Sequence, residues 1–477
     1  MASTTVSHSQ LDCVPRQRRS VLFNLRSSVS FITFVASYAV FTDSFLYGLI
    51  VPVVPTALND RLGVSRNDEQ TWTSILIALY GAAQFSVAPL SGYVSDRIQS
   101  RWWPMVAGVL TLGAGTALLC AGNRIGFWIA GRLLQGAAAA IVWTVACALL
   151  VDTVAEEQLG HAMGYMSMGM TIGNLIGPLI GGAVYEHAGY YSVFIVAFVL
   201  ISLDLGLRLL IIERTHAPEP VRGGSGRGPS LADPAREPAE QPEDESEPAA
   251  PPALQSHTGL QGLWRLFSSP RILVVLWTCL VISIVISAFD SALPLFVQDA
   301  YAWAQTAQGL IFIPFLVPSL LGPLVGWIND RVPSKHRRLL AGGALLLSVP
   351  PAVLLRLVSD NDLAHKVLLC VLLLLLGVCM SLLFPLVLAE NSYAAAEKEQ
   401  EAPSTFGTQG AMGLAYGLAN SAYAAGSIAG PLLAGYIRQG AGWATMTGVL
   451  GLLTGVSTLP VLFWFGGVVP CRKIVSW

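Results

Sequence analysis

Asp43-Ser-Phe-Leu-Tyr-Gly-Leu-Ile-Val-Pro-Val-Val-Pro55 lies inside an apolar run from about Ser30 to Ala57. A run of that length crosses a bilayer, which takes about 20 residues. Asp43 falls near its middle. A lone carboxylate there costs about 2.5–3.5 kcal/mol on insertion scales. A membrane chain that keeps one is expected to use it to hold a proton or a cation, so the stretch predicts both the class of fold and its central residue.

The rest of the chain supports that class. Of 477 residues, 53% are apolar and 12% charged, about half the charged share of a soluble domain. Twelve apolar spans are predicted, near 30–57, 72–94, 103–120, 127–153, 163–185, 191–212, 272–297, 306–328, 339–358, 367–388, 411–436 and 444–467. Lipid admits only internally bonded helices of these lengths, so the expected fold is an all-α polytopic bundle. With the N-terminus in the cytoplasm, nineteen of the 27 Lys and Arg fall on the inside and five outside. The excess of inside charge predicts that both termini are cytoplasmic.

Five segments result: a tail (1–29), a first six-helix half (30–212), a linker (213–270), a second six-helix half (271–467) and a tail (468–477). The middle of the linker, Gly223 to Ala253, is rich in Gly, Ser, Pro and Glu and reads as disordered. Leu260, Leu263, Trp264 and Phe267 share one face of a short helix predicted to lie in the cytoplasmic interface. The first 29 residues show no cleavable signal. Seven cysteines fall mostly in apolar runs without metal spacing, so they read as packing residues.

The two halves repeat one another. Pro89-Leu-Ser-Gly-Tyr-Val-Ser-Asp-Arg-Ile98 and Pro323-Leu-Val-Gly-Trp-Ile-Asn-Asp-Arg-Val332 share Pro-Leu, Gly and Asp-Arg at a separation of 234. Gly177-Pro-Leu-Ile-Gly-Gly182 and Gly430-Pro-Leu-Leu-Ala-Gly435 are separated by 253. Asp43-Ser-Phe-Leu and Asp290-Ser-Ala-Leu occupy spans one and seven, which makes Asp290 the expected mirror of Asp43. Parallel halves around a central site are a common transporter plan.

Each motif carries a chemical expectation. Gly92, Asp96, Arg97 and Arg101 end span two, and Gly326, Asp330 and Arg331 end span eight. The glycines allow close helix approach. Asp96 can accept from backbone N–H groups at a neighbouring helix start and pair with a base, a clamp that shuts the cytoplasmic side. Arg132, five residues into span four, either tunes a nearby carboxylate or snorkels to the outer interface. Gly169, Gly173, Gly177 and Gly181 recur every fourth residue with Pro178 and Gly182, a groove for backbone-to-backbone packing and a bend. Asp204 and Arg208 are four apart in span six and are expected to pair as structure. Glu390 belongs either to the site or to the cytoplasmic rim. Tyr47, Tyr80, Gln84, Trp143, Asn174, Phe289, Asn420 and Tyr423 are candidates to line a cavity. No catalytic constellation is found, and no Gly-x-x-x-x-Gly-Lys-[ST] loop, so neither an enzyme nor direct use of ATP is expected.

On these motifs the chain resembles the major facilitator superfamily over all twelve spans. Gly92/Asp96/Arg97/Arg101 are similar to its signature after span two, with Gln99 in place of a glycine. Arg132/Gln135/Gly136 resemble the span-four signature of proton-coupled members. Gly173/Gly177/Pro178/Gly181/Gly182 resemble the span-five signature of antiporters. Within the family the chain is similar to the twelve-span drug:proton antiporters, their vesicular amine branch, and fungal efflux transporters. The resemblance implies that Asp43 recognises a substrate ammonium and that Asp290 stands where the branch has a glutamate. Tyr80 stands where it has a lysine, and Asn420 where it has an acid. The activity implied by the resemblance is proton-driven export of a small amphiphilic or cationic organic molecule, a drug or secondary metabolite. No cofactor beyond the proton gradient and no nucleic-acid partner is expected. A monomer is expected, in the plasma membrane ahead of an internal vesicle or vacuole. Uptake symport on the same fold and a non-transporting receptor are the alternatives.

Overall fold

In the computed structural model, residues 26–98, 100–211, 259–303, 305–401, 406 and 410–467 are described. The long linker's middle and both extreme tails lie outside them. The described residues form helices and no strand. Eleven of the helices are long and apolar enough to cross a membrane. The last of these, Met412–Trp464, is two spans joined at Gly442, whose φ of 83° is open to glycine and not to ordinary L-residues. The described residues therefore hold the expected twelve.

Local chemistry sets the boundaries. Span one is Val29–Ile50, and Ser28 caps it by accepting from the Phe31 N–H at 3.2 Å. It stops short of the predicted Ala57 because Pro52 has no N–H to continue the ladder. The chain restarts as a short helix, Val53–Leu62, which Gly63 ends in the left-handed conformation. Spans two to seven are Arg66–Ser95, Trp102–Ala121, Ile125–Thr153, Leu159–Ala188, Tyr190–Leu210 and Pro270–Tyr301. Span eight is broken into Gln305–Leu310, Ile313–Leu316, a 3-10 turn at Val317–Leu321, and Gly322–Arg331. Pro314, Pro318 and Pro323 account for the breaks. Span nine is Ser334–Leu354, and span ten runs from Leu363 to Glu401, well past the predicted 388.

Spans one and five pack on each other, as do seven and eleven; across the halves, two packs on eleven and five on eight. Tyr191, Ile195, Val199 and Leu203 form an exposed stripe at spacing four on span six, the face expected to meet lipid. The short helix Gly259–Phe267 turns two sides to different surroundings. Gly262 and Leu266 turn into the bundle and Leu263 is half-buried, while Trp264 is 75% exposed and Phe267 also faces out. The apolar residues divide between a bundle side and an outer side.

Candidate functional site

The glycine repeat of span five is a groove filled by span one. A Cβ at Gly169, Gly173 or Gly177 would stand 2.6, 2.7 and 2.6 Å from the carbonyl oxygens of Ser37, Phe41 and Phe45. Only glycine admits backbones that close. Pro178 packs on Gly48, but Gly182 meets nothing within 4 Å and is not part of the groove.

The second half repeats the arrangement and corrects one expectation. Gly173 faces Phe41 and Ser44, and its counterpart Gly426 faces Leu280 and Ser283. Gly177 faces Phe45, and Gly430 faces Ile284. Each pair of contacts gives a separation of 239 between spans one and seven, not the 247 that aligns Asp43 with Asp290. Asp43 therefore corresponds to Ile282, and Asp290 to Val51. Asp290 lies eight residues further along its helix, about 12 Å at 1.5 Å per residue. The shared Asp-Ser-x-Leu is not a structural equivalence.

Asp43 is buried in span one. One carboxylate oxygen accepts from the Tyr80 hydroxyl at 3.4 Å, and the other has no hydrogen-bond partner. The Tyr47 and Tyr80 rings are 4.8 Å apart, and the Arg132 guanidinium lies 5.5 and 5.1 Å from their centres. Arg132 is fully buried, so it does not snorkel to an interface. It donates to the Leu76 carbonyl at 3.3 Å and to Gln135 at 3.1 Å, and Gln135 donates to Thr116 at 3.1 Å. One guanidinium nitrogen is left without a partner. Arg132 and Asp43 form no salt bridge; two tyrosine rings separate a buried cation from a buried carboxylate.

Asp290 is exposed, with Tyr47 of span one and Tyr423 of span eleven in its neighbourhood. Its exposure is therefore to space between the halves. Phe384 joins Trp143 to Tyr423, with ring centres at 6.0 and 5.8 Å, and makes an aromatic wall across the two halves. Phe289 is not part of that wall: it is buried against Phe315 and Trp443 in the second half.

Three other candidates sit elsewhere. Asn420 is buried between the halves, where it accepts from Gln84 at 2.9 Å and donates to the Ala140 carbonyl and the Thr144 hydroxyl at 3.3 and 3.4 Å. A carboxylate could not make those donations, which explains an amide at this place. Neither Asn420 nor Gln84 joins the Asp43 group. Glu390 bonds to Arg271 and accepts from the Gly466 N–H at 2.8 Å, and Arg271 reaches Glu397 at 2.6 Å. It belongs to the rim. Asp204 and Arg208 form a buried two-bond pair at 2.7 and 3.0 Å.

The two clamps have matching geometry. Asp96 accepts from the Gly413 and Leu414 N–H groups at 2.7 and 2.6 Å, at the start of span eleven. Asp330 accepts from Gly160 and His161 at 2.7 and 2.9 Å, at the start of span five. A carboxylate at a helix start satisfies orphan N–H groups and meets the positive end of the dipole. Arg101 supports the first clamp: it donates to Asp96 at 3.3 Å, to Ser95 at 2.6 Å and to Asp152 at 2.8 Å. Gly92 abuts Gly413, and Gly326 abuts Gly160. Arg97 and Arg331, expected in the clamps, stand outside them with exposed side chains. The receiving residues were missed in the sequence, although Gly160 and Gly413 are themselves separated by 253. Both clamps close the same end of the bundle. Spans one and seven show no comparable mutual packing, and Asp290 lies twenty residues along span seven, on the side away from the clamps.

A two-fold bundle of twelve spans, clamped at one end and holding a buried carboxylate near mid-depth, is the architecture of a secondary transporter. The family model described as Major Facilitator Superfamily matches residues 36–412. The chain belongs to that superfamily. It is similar to the MFS-type transporter C18.02 of Schizosaccharomyces pombe, 32% identical over 90% of this chain and 94% of that one. It is also similar to the MFS-type transporter ppzB of Metarhizium rileyi, 28% identical over 93% and 96%. The vesicular acetylcholine transporter of Drosophila melanogaster is 24% identical over 66% and 53%. The solved structure of the human organic anion transporter MFSD10 (TETRAN) superposes with a TM-score of 0.67 over 91% of this chain and 99% of that one, at 17% identity, and shares its fold.

Proposed function

We propose that the protein is a proton-coupled antiporter that moves a small organic cation or amphiphile out of the cytosol. The observation that carries the reading is Asp43: a buried carboxylate with one unpartnered oxygen, next to aromatic rings and without a salt bridge. Such a charge needs a counter-ion, and a proton and a substrate ammonium are two candidates that exclude each other. Tyr47, Tyr80, Trp143, Phe384 and Tyr423 offer ring faces suited to an organic cation. Asp290, shallower and water-accessible, would receive the cation on the open side. The excess of arginine and lysine supports a cytoplasmic position for the clamped end. The state described is then closed to the cytosol, and rocking of the halves releases the clamps. The glycine groove between spans one and five makes them move as one body.

The test is transport into inside-out vesicles carrying an imposed pH gradient, with tetraphenylphosphonium and a panel of organic amines as substrates. Wild-type protein accumulates a substrate of this class, and Asp43→Asn, inserted at the same level, does not. Full gradient-driven uptake by Asp43→Asn would refute the assignment. The similarity to a vesicular acetylcholine transporter favours a second setting for the same chemistry, sequestration into an internal acidic compartment; localisation of the full chain by immunogold labelling separates the two.

A further inference from the structure

Arg97 and Arg331 adjoin the clamps yet take no part in them. Among the described residues neither has a hydrogen bond or an ion pair. Each lies over the aromatic ring four residues earlier, Arg97 over Tyr93 at 4.4 Å and Arg331 over Trp327 at 3.7 Å. One turn further into the membrane stand exposed leucines, Leu90 and Leu324. All three positions repeat at 234, the separation of the motifs themselves. Each half thus carries, in order along a helix end, an exposed leucine, a ring that is half-buried as Tyr93 and exposed as Trp327, and an exposed, unpaired guanidinium.

That order matches the layers of a bilayer from acyl chain through interface to headgroup. A guanidinium offers planar paired donors that match phosphate oxygens. The neighbouring carboxylates are already engaged, because Asp96 and Asp330 accept from backbone N–H groups. We propose that Arg97 with Tyr93, and Arg331 with Trp327, form two symmetry-related sites for the headgroup phosphate of an anionic phospholipid in the leaflet at the clamped end. Choline headgroups fit less well, since their ammonium brings a second positive charge to the arginine. A bound phosphate also holds each arginine away from the adjacent aspartate, which leaves the carboxylate free to accept from the facing helix. Anionic lipid therefore favours the clamped state.

Native mass spectrometry of the delipidated full chain, titrated with phosphatidylglycerol or phosphatidylcholine, tests this. Wild type is expected to retain phosphatidylglycerol preferentially, with roughly fivefold weaker retention for each arginine charge removed in Arg97→Gln and Arg331→Gln. Arg97→Lys and Arg331→Lys are expected to keep most of it. Millimolar inorganic phosphate is expected to leave retention unchanged. Equal retention of the two lipids by wild type, or unchanged retention in the double Gln variant, would overturn the proposal. So would displacement by inorganic phosphate, which would assign the arginines to a soluble anion. The lipid comparison on wild type decides the matter even if a variant fails to fold.

Discussion

At the scale of single residues, the two acids of the first and seventh spans differ in depth and in company. Asp43 is buried with Tyr80 as its one donor, while Asp290 is exposed in the neighbourhood of Tyr47 and Tyr423. Their replacements should therefore differ in kind. Asp290→Asn weakens an ionic contact to the substrate, so KM rises on the order of tenfold, while gradient-driven accumulation persists at saturating substrate. Asp43→Asn removes coupling at any substrate concentration. Michaelis curves for both variants in inside-out vesicles check this, and equal losses of both kinds would contradict it. Asp43 was legible in the sequence because a charge inside an apolar run stands out. Its relation to Asp290 was misread, because four matching letters in a helix carry no register. The backbone contacts of Gly173, Gly177, Gly426 and Gly430 do carry it.

At the scale of elements, helices here are organised by glycine. Gly177→Val would drive a branched side chain into the Phe45 carbonyl. The cost expected for such overpacking is about 1–3 kcal/mol, read as a lower melting temperature in detergent. Gly92→Val and Gly326→Val act instead on the contact between halves, since Gly413 and Gly160 face them. Those variants should fold, with the clamped end held open. Thiol labelling of a cysteine placed at Ser421 reports it: in wild type Ser421 is bonded to the Phe85 carbonyl and largely buried, and labelling should rise in both variants. Labelling equal to wild type would show that the clamps do not need the glycines. Helix number and order could be read from apolar runs. Breaks at Pro52 and within span eight, and the length of span ten, could not be placed to the residue, because a proline marks a weak point without saying how neighbouring helices resolve it. The inward turn of Leu266 was not legible for a related reason: a helix with apolar residues on two sides chooses between bundle and membrane by tertiary contact.

At the scale of the whole molecule, the structure is one clamped state, and the proposed cycle requires a second. The repeat in the sequence predicted paired gates. It did not say that Asn420 would be part of the closure, bridging Gln84, Ala140 and Thr144 across the halves. Asn420→Ala leaves the Gln84 amide without its partner in the closed state only, so it should shift the population toward opening, by a factor on the order of ten if about 1–2 kcal/mol of closed-state hydrogen bonding is lost. Distance distributions between spin labels on spans two and eleven at the clamped end measure that shift. The linker is expected to matter little: its Gly-, Pro- and Glu-rich composition offers nothing to bury, so removal of residues 223–253 should leave transport rates nearly intact.

The central claim is that one carboxylate, Asp43, serves proton and substrate in turn. Proton release on substrate binding tests it most directly. Purified protein in weakly buffered detergent, titrated with a transported organic cation, is expected to release about one proton per cation bound, and Asp43→Asn none. Undiminished proton release by Asp43→Asn would contradict the claim.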